Sequence, residues 1–127
     1  MKRSACDLCA TILAGVVMLA SPAVMAGEAD VVGVKIAKES AGSYRFDVSV
    51  RHDDKGWDHF ANKWDVVAPD GTVLGTRELA HPHEAEQPFT RSLSGVRIPD
   101  GVDKVTVRSH DSVHKYGGAE MSVDVPK

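Results

Sequence analysis

The feature that most constrains the fold is a series of seven short segments in which apolar and polar residues alternate, separated by turns rich in glycine and proline. Between Tyr44 and Arg51, for example, every second residue is apolar. A period of two is that of a strand with one buried face, and short strands at regular spacing indicate a sandwich or a barrel. No segment after residue 26 shows a convincing helical period, so the sequence predicts an all-β protein.

We predict strands over residues 30–37, 44–51, 60–67, 73–79, 89–98, 104–108 and 121–125. Two of the turns between them, Pro69-Asp70-Gly71 and Pro99-Asp100-Gly101, pair a proline that presets φ with a glycine that permits positive φ. We expect residues 27–127 to form a single antiparallel β-sandwich of the immunoglobulin or fibronectin type III kind, with a small barrel as the alternative.

The first 26 residues have the pattern of a secretory signal peptide. Lys2 and Arg3 precede an apolar run, and Val24 and Ala26 occupy the small positions of a cleavage site after Ala26. A membrane anchor is disfavoured because the run is shorter than the ~20 apolar residues that span a bilayer. A lipoprotein signal at Cys9 is disfavoured because no apolar run precedes that cysteine. We expect export to the periplasm, with no membrane attachment after cleavage.

Removal of the leader changes the composition on which function depends. Both cysteines of the chain, Cys6 and Cys9, are lost with it, so the mature protein has neither a disulfide nor a thiolate ligand. It keeps 13 basic and 17 acidic side chains, a net charge of −4 compared with −3 for the precursor. This acidic balance argues against a nucleic-acid partner, which would favour a basic surface.

All six histidines of the chain lie in the mature part, and the predicted topology gathers them. In a seven-stranded sandwich the connections after the second, fourth and sixth strands emerge at the same end. The histidines fall on these three connections in pairs: His52 and His59, His81 and His83, His110 and His114. His81-Pro82-His83 is the most suggestive pair alone, because side chains at i and i+2 of an extended backbone point to one side.

Imidazole clusters bind copper, zinc or nickel, whereas calcium requires a shell of oxygens. We predict a site of the six histidines for copper, with zinc as the alternative. A blue-copper site is excluded by the lack of cysteine, and a histidine brace by the predicted N-terminal Gly27. Asp58, Asp111 and Glu84 adjoin histidines and are candidate acceptors for their ring N–H groups.

Three other side chains have both a structural and a functional interpretation. Met121 could be a thioether ligand, but its place in an alternating strand favours the core. Trp64, on the third strand, is expected to fill the core, as a tryptophan there does in many sandwiches. Trp57 lies in a histidine-bearing loop, where it is a candidate either to line the metal site or to contact a partner.

Three segments carry a resemblance to known proteins: Gly56-Trp57-Asp58-His59, His81-Pro82-His83 with Glu86 to Leu93, and Asp111-Ser112-Val113-His114. They resemble those of a family of small exported proteobacterial proteins of unassigned function. The resemblance covers most of the mature chain. It implies a periplasmic address and no particular activity.

The sequence thus predicts a non-catalytic periplasmic protein that sequesters or delivers a metal ion, with another periplasmic protein as a candidate metal donor or acceptor. One alternative is a protein-interaction module whose loop histidines sense pH, since their ordinary pKa lies near 6.5. A metal-dependent enzyme is the less favoured alternative, because only histidines with acidic neighbours support it.

Overall fold

The computed structural model describes residues 27–127, and the predicted leader lies outside this range. Within it the chain forms seven strands: β1 (Asp30–Ser40), β2 (Ser43–Arg51), β3 (Ala61–Val67), β4 (Val73–Glu78), β5 (Phe89–Arg97), β6 (Lys104–Asp111) and β7 (Met121–Asp124). Between residues 27 and 127 there is no helix of the length and apolarity needed to cross a membrane.

The strands form two antiparallel sheets, one of order β1-β2-β5 and one of order β4-β3-β6-β7. The prediction of an all-β sandwich of about seven strands is confirmed. The fourth strand pairs with β3 rather than β5, so the sheets have three and four strands. β6 runs to Asp111, three residues beyond its predicted end. This extension places His110 inside a strand instead of a loop.

The core lies between the sheets and is built from the inward positions of the alternating strands. Its largest fully buried side chains are Trp64, Phe46 and Phe89, packed among valines. The prediction that Trp64 fills the core is confirmed. Met121 is partly buried and packs against the same cluster, which is the core position favoured for it.

Strand pairing defines what we call the histidine end of the sandwich. Val50 near the end of β2 pairs with Phe89 at the start of β5, and Ala61 at the start of β3 pairs with Asp111 at the end of β6. The β2–β3, β4–β5 and β6–β7 connections therefore emerge together. Residues 27–29 lie at the same end, because Asp30 of β1 pairs with Arg51.

Candidate metal centre

In two strands, the row of buried side chains that face the core continues past the hydrophobic residues and ends with polar ones. His52 directly follows β2 and continues its buried row, and Asp111 ends β6 and continues the buried row of that strand. Their side chains are fully buried, and His52 Nε2 lies 2.9 Å from Asp111 Oδ2. The rows they continue are Phe46, Val48 and Val50 in β2, and Val105, Val107 and Ser109 in β6. Each sheet thus supplies one polar residue at the top of the core.

Two more imidazoles meet the same carboxylate oxygen. His59, from the β2–β3 loop, has Nε2 3.1 Å from Asp111 Oδ2, and His114, from the β6–β7 loop, has Nδ1 3.2 Å from it. The two ring nitrogens lie 3.1 Å from each other. His52, His59 and Asp111 also form a set in which three possible ligand atoms all lie within 4.8 Å of one another.

A main-chain oxygen completes the group. The carbonyl of Gly27 lies 3.0 Å from His52 Nε2 and 3.2 Å from His59 Nε2. Two nitrogen or oxygen ligands of a tetrahedral zinc ion are about 3.3–3.6 Å apart when each bond is about 2.0–2.2 Å long. The six contacts between these atoms, from 2.9 to 3.2 Å, are a few tenths of an ångström shorter, so the atoms would move slightly apart to hold an ion.

Asp54 bonds to the ring nitrogen of His52 that faces away from Asp111. Its Oδ1 accepts a hydrogen bond from His52 Nδ1 and another, at 3.1 Å, from the backbone N–H of Ala61. Its Oδ2 accepts from the backbone N–H of His83 at 2.6 Å. An ionised carboxylate only accepts, so Nδ1 carries a proton; Nε2 then has a lone pair in the neutral ring and a second proton in the imidazolium. Carboxylates hold metal-ligating histidines in this way in many metal sites.

Both ring nitrogens of His52 face acceptors. Nε2 lies within hydrogen-bond distance of two oxygens, Asp111 Oδ2 and Gly27 O. Such a group needs either a proton or a cation between its members. The carboxyl side chains of Asp54 and Asp111 are both fully buried against His52, and buried carboxylates are costly without compensation. A divalent ion would supply that compensation.

Hydrogen bonding sets the charge state of Asp111. Burial by itself raises the pKa of this carboxyl, but the hydrogen bonds from the His114 backbone and from the three imidazoles outweigh it and lower the pKa to about 2. The bond to Asp111 in turn raises the pKa of His114. Asp111 is therefore ionised throughout the physiological range, as a ligand must be.

The lowered pKa of Asp111 has a consequence for acid stability. A carboxyl whose pKa is lower in the folded than in the unfolded protein stabilises the fold above its unfolded pKa, near 3.8. That contribution is lost as the pH falls towards 2. At 1.36 kcal/mol per pKa unit, we expect it to be about 2 kcal/mol. In chelator-treated protein, the unfolding free energy of Asp111→Asn should fall less between pH 5 and pH 2.5 than that of the unmodified protein. Equal losses in urea titrations would contradict this.

The other three histidines lie at the histidine end but outside the cluster. The ring of His83 stacks flat on Phe89, 4.0 Å between centroids, and its Nδ1 is buried without a hydrogen-bond partner among residues 27–127. His81 lies beside it, 4.7 Å between ring centroids, and its Nδ1 contacts the carbonyl of Pro82. Burial is the largest cause that lowers the pKa of His83, and the electrostatic effects of Arg91 and then of His81 lower it further.

His110 is directed away from the cluster because neighbouring residues of a strand point to opposite faces of the sheet. Asp111 points inward, so His110 lies on the outer face. There its Nδ1 is 2.7 Å from Asn62 Oδ1, and its ring contacts Tyr116 edge-on. Of the six histidines predicted as ligands, the structure brings three together in one cluster: His52, His59 and His114.

The acidic neighbours are also redistributed. Asp111, expected to accept hydrogen bonds behind the histidines, has an oxygen among the possible ligand atoms themselves. Asp58 and Glu84 are exposed, and Asp54 holds the histidine instead. The signal that could have located His52 and Asp111 is the continued alternation of β2 and β6. Trp57 is 67% exposed and meets Phe60 edge-on at 5.5 Å between ring centroids, so it lies on the surface of the histidine end.

Fold and site together define an all-β sandwich with a buried histidine–aspartate cluster at one end. No protein-family model matches the chain. It is similar to a protein of Halomicrobium mukohataei named "Putative lipoprotein", with 43% identity over 97 residues, which are 76% of this chain and 47% of that protein. The chain therefore spans about half the length of this relative.

The chain is also similar to a solved structure, a hypothetical protein from Pyrococcus horikoshii OT3. The match has 14% identity and a TM-score of 0.48, and it covers 81% of this chain and 96% of that one.

Proposed function

We propose that the protein is an exported metal-binding protein that holds one divalent transition-metal ion through His52, His59, His114 and Asp111. It sequesters the ion or passes it to another protein. The proposal extends the cluster of possible ligand atoms at His52, His59 and Asp111 by the imidazole of His114, whose Nδ1 lies 3.2 Å from Asp111 Oδ2.

The observation that carries the proposal is the surroundings of His52 Nε2. Asp54 accepts a hydrogen bond from the other ring nitrogen, so in the neutral ring the Nε2 lone pair is directed at the oxygens of Asp111 and Gly27. A metal ion at this position would bind these three atoms and the two other imidazoles, whereas a proton on Nε2 bonds to only part of the group.

Copper is the proposed ion and zinc the alternative. Three imidazoles and one carboxylate suit both metals, and among divalent first-row ions copper binds such a set most tightly. The ion would not be sealed in the interior, because the side chains of His59 and His114 are 22% and 36% exposed. Access from solvent supports an ion that can be exchanged, and a periplasmic donor or acceptor protein could approach from this side.

Export is supported by two independent observations. The first 26 residues have the order of a signal peptide, with basic, apolar and small-residue parts. The similar protein from Halomicrobium mukohataei is named as a lipoprotein, a class of exported proteins. We propose that the mature protein is periplasmic.

Calorimetric titration of the chelator-treated mature protein with Cu(II) and with Zn(II) tests the proposal. We expect one ion per chain, bound more tightly than about 1 μM, and tighter binding of copper than of zinc. Binding of neither ion in this range would refute the proposal. Two equivalent ions per chain would contradict the single centre.

A further inference from the structure

The N-terminal strap, which we define as residues 27–31, is fastened to the β6–β7 loop that carries His114. The backbone N–H of Val31 donates to the carbonyl of Ala119 at 2.8 Å. The N–H of Ala119 donates to Asp30 Oδ1 at 2.7 Å. These bonds fix the point at which the chain approaches the cluster.

Two glycines allow this close approach. A Cβ at Gly118 would lie 2.0 Å from the carbonyl oxygen of Ala29, and a Cβ at Gly27 would lie 2.6 Å from His114 Cε1. Atoms cannot approach this closely, so a larger residue at either position would move the strap or the imidazole. The strap is therefore fitted against the ligand loop at both points.

At the N-terminal end of the strap, the carbonyl oxygen of Gly27 lies among the possible ligand atoms. This oxygen lies 3.0 and 3.2 Å from Nε2 of His52 and of His59, as close as the Asp111 carboxylate is to the same two nitrogens, at 2.9 and 3.1 Å. Nδ1 of His52 bonds to Asp54, so in the neutral ring Nε2 carries no proton to donate to this oxygen and can share a metal ion with it. Main-chain carbonyl oxygens bind hard divalent ions such as Ca²⁺ and Mn²⁺, and they also occur as weak, long ligands of copper.

We propose that the main-chain carbonyl oxygen of Gly27 is a ligand of the bound ion, so that the N-terminal strap is part of the metal centre. This inference deepens the proposed function and rests on it. Metal binding then joins three parts of the chain that are far apart in sequence: the strap, the β2–β3 region and the β6–β7 loop. It fixes the N-terminus of the mature protein to the site.

Zn(II) titration followed by NMR tests the inference directly. Zn(II) is diamagnetic, and the carbonyl carbon of Gly27 can be observed through the amide of Glu28. On Zn(II) binding, we expect the chemical shift of this carbon to change much more than that of the Ala29 carbonyl carbon. Ala29 lies in the same strap but not at the possible ligand atoms. Equal responses of the two carbonyl carbons would overturn the inference.

Affinity provides a second readout. Deleting Gly27 and Glu28 from the precursor, so that Ala26 precedes Ala29, should weaken Zn(II) binding about tenfold or more, as loss of groups around a metal commonly does. Zn(II) binding as tight as that of the unmodified protein would overturn the inference but leave the proposed function intact. If the unmodified protein itself does not bind Zn(II) or Cu(II), the proposed function fails instead.

Discussion

The His52→Ala variant should lose Cu(II) and Zn(II) affinity by at least about 100-fold. The Nδ1 atom of His52 bonds to Asp54, and its Nε2 lies 2.9 Å from Asp111 Oδ2 and 3.0 Å from the Gly27 carbonyl oxygen. Removal of His52 deletes a ligand and releases the carboxylate that orients it. Changes in the groups behind a ligand already cost 10- to 100-fold in metal affinity, so loss of the ligand itself should cost at least the upper value.

The His110→Ala variant is the matched control for this experiment. It removes an imidazole from the residue next to Asp111, but one that lies on the outer face of the sheet against Asn62 and Tyr116. We expect its affinity to match that of the unmodified protein. Circular dichroism establishes that both variants are folded before titration. If His110→Ala weakened binding as much as His52→Ala, the assignment of the centre to His52, His59, His114 and Asp111 would be wrong.

The Asp54→Ala variant should have the largest effect on stability, lowering the unfolding free energy by about 3 kcal/mol or more, because each buried donor left without its acceptor costs about 1–3 kcal/mol. Asp54 accepts hydrogen bonds from His52 Nδ1 and from the backbone N–H groups of Ala61 and His83. Alanine would leave all three donors buried without their acceptor. Urea unfolding at pH 7 with chelator present measures this loss without a contribution from metal.

The preceding residue provides the control for this variant. Asp53 has a side chain that is 81% exposed and pairs with Lys55 at 3.0 Å on the surface. Exposed pairs of this kind contribute 0–1 kcal/mol, so Asp53→Ala should change stability by less than about 1 kcal/mol. An Asp54→Ala variant as stable as Asp53→Ala would show that the buried hydrogen bonds of Asp54 do not hold the histidine end together.

The sequence predicts this fold well because each strand carries its own signal. The alternation from Tyr44 to Arg51 and the Pro-Asp-Gly turns are local features. They can therefore be recognised in the sequence without knowledge of the tertiary structure. The end of β6 was misplaced because Ser109, His110 and Asp111 are polar. They nonetheless keep the alternation, with Ser109 and Asp111 buried and His110 outside.

The candidate site was predicted only in part. Topology alone indicates that the loops with histidines meet at one end, but it does not determine the direction of a loop side chain. The His81-Pro82-His83 motif looked strongest in sequence, yet the ring of His83 packs on Phe89. Two groups were missed because no local pattern marks them. Asp54 reaches His83 across 29 residues of sequence, and Gly27 offers only a backbone oxygen.

Anomalous diffraction at the copper or zinc edge, from crystals of the metal-loaded protein, tests the central claim most directly. We predict a single strong peak per chain, about 2.0–2.2 Å from His52 Nε2, His59 Nε2, His114 Nδ1 and Asp111 Oδ2. A peak at His81 and His83 instead, or no peak at the histidine end in crystals grown with excess metal, would contradict the account.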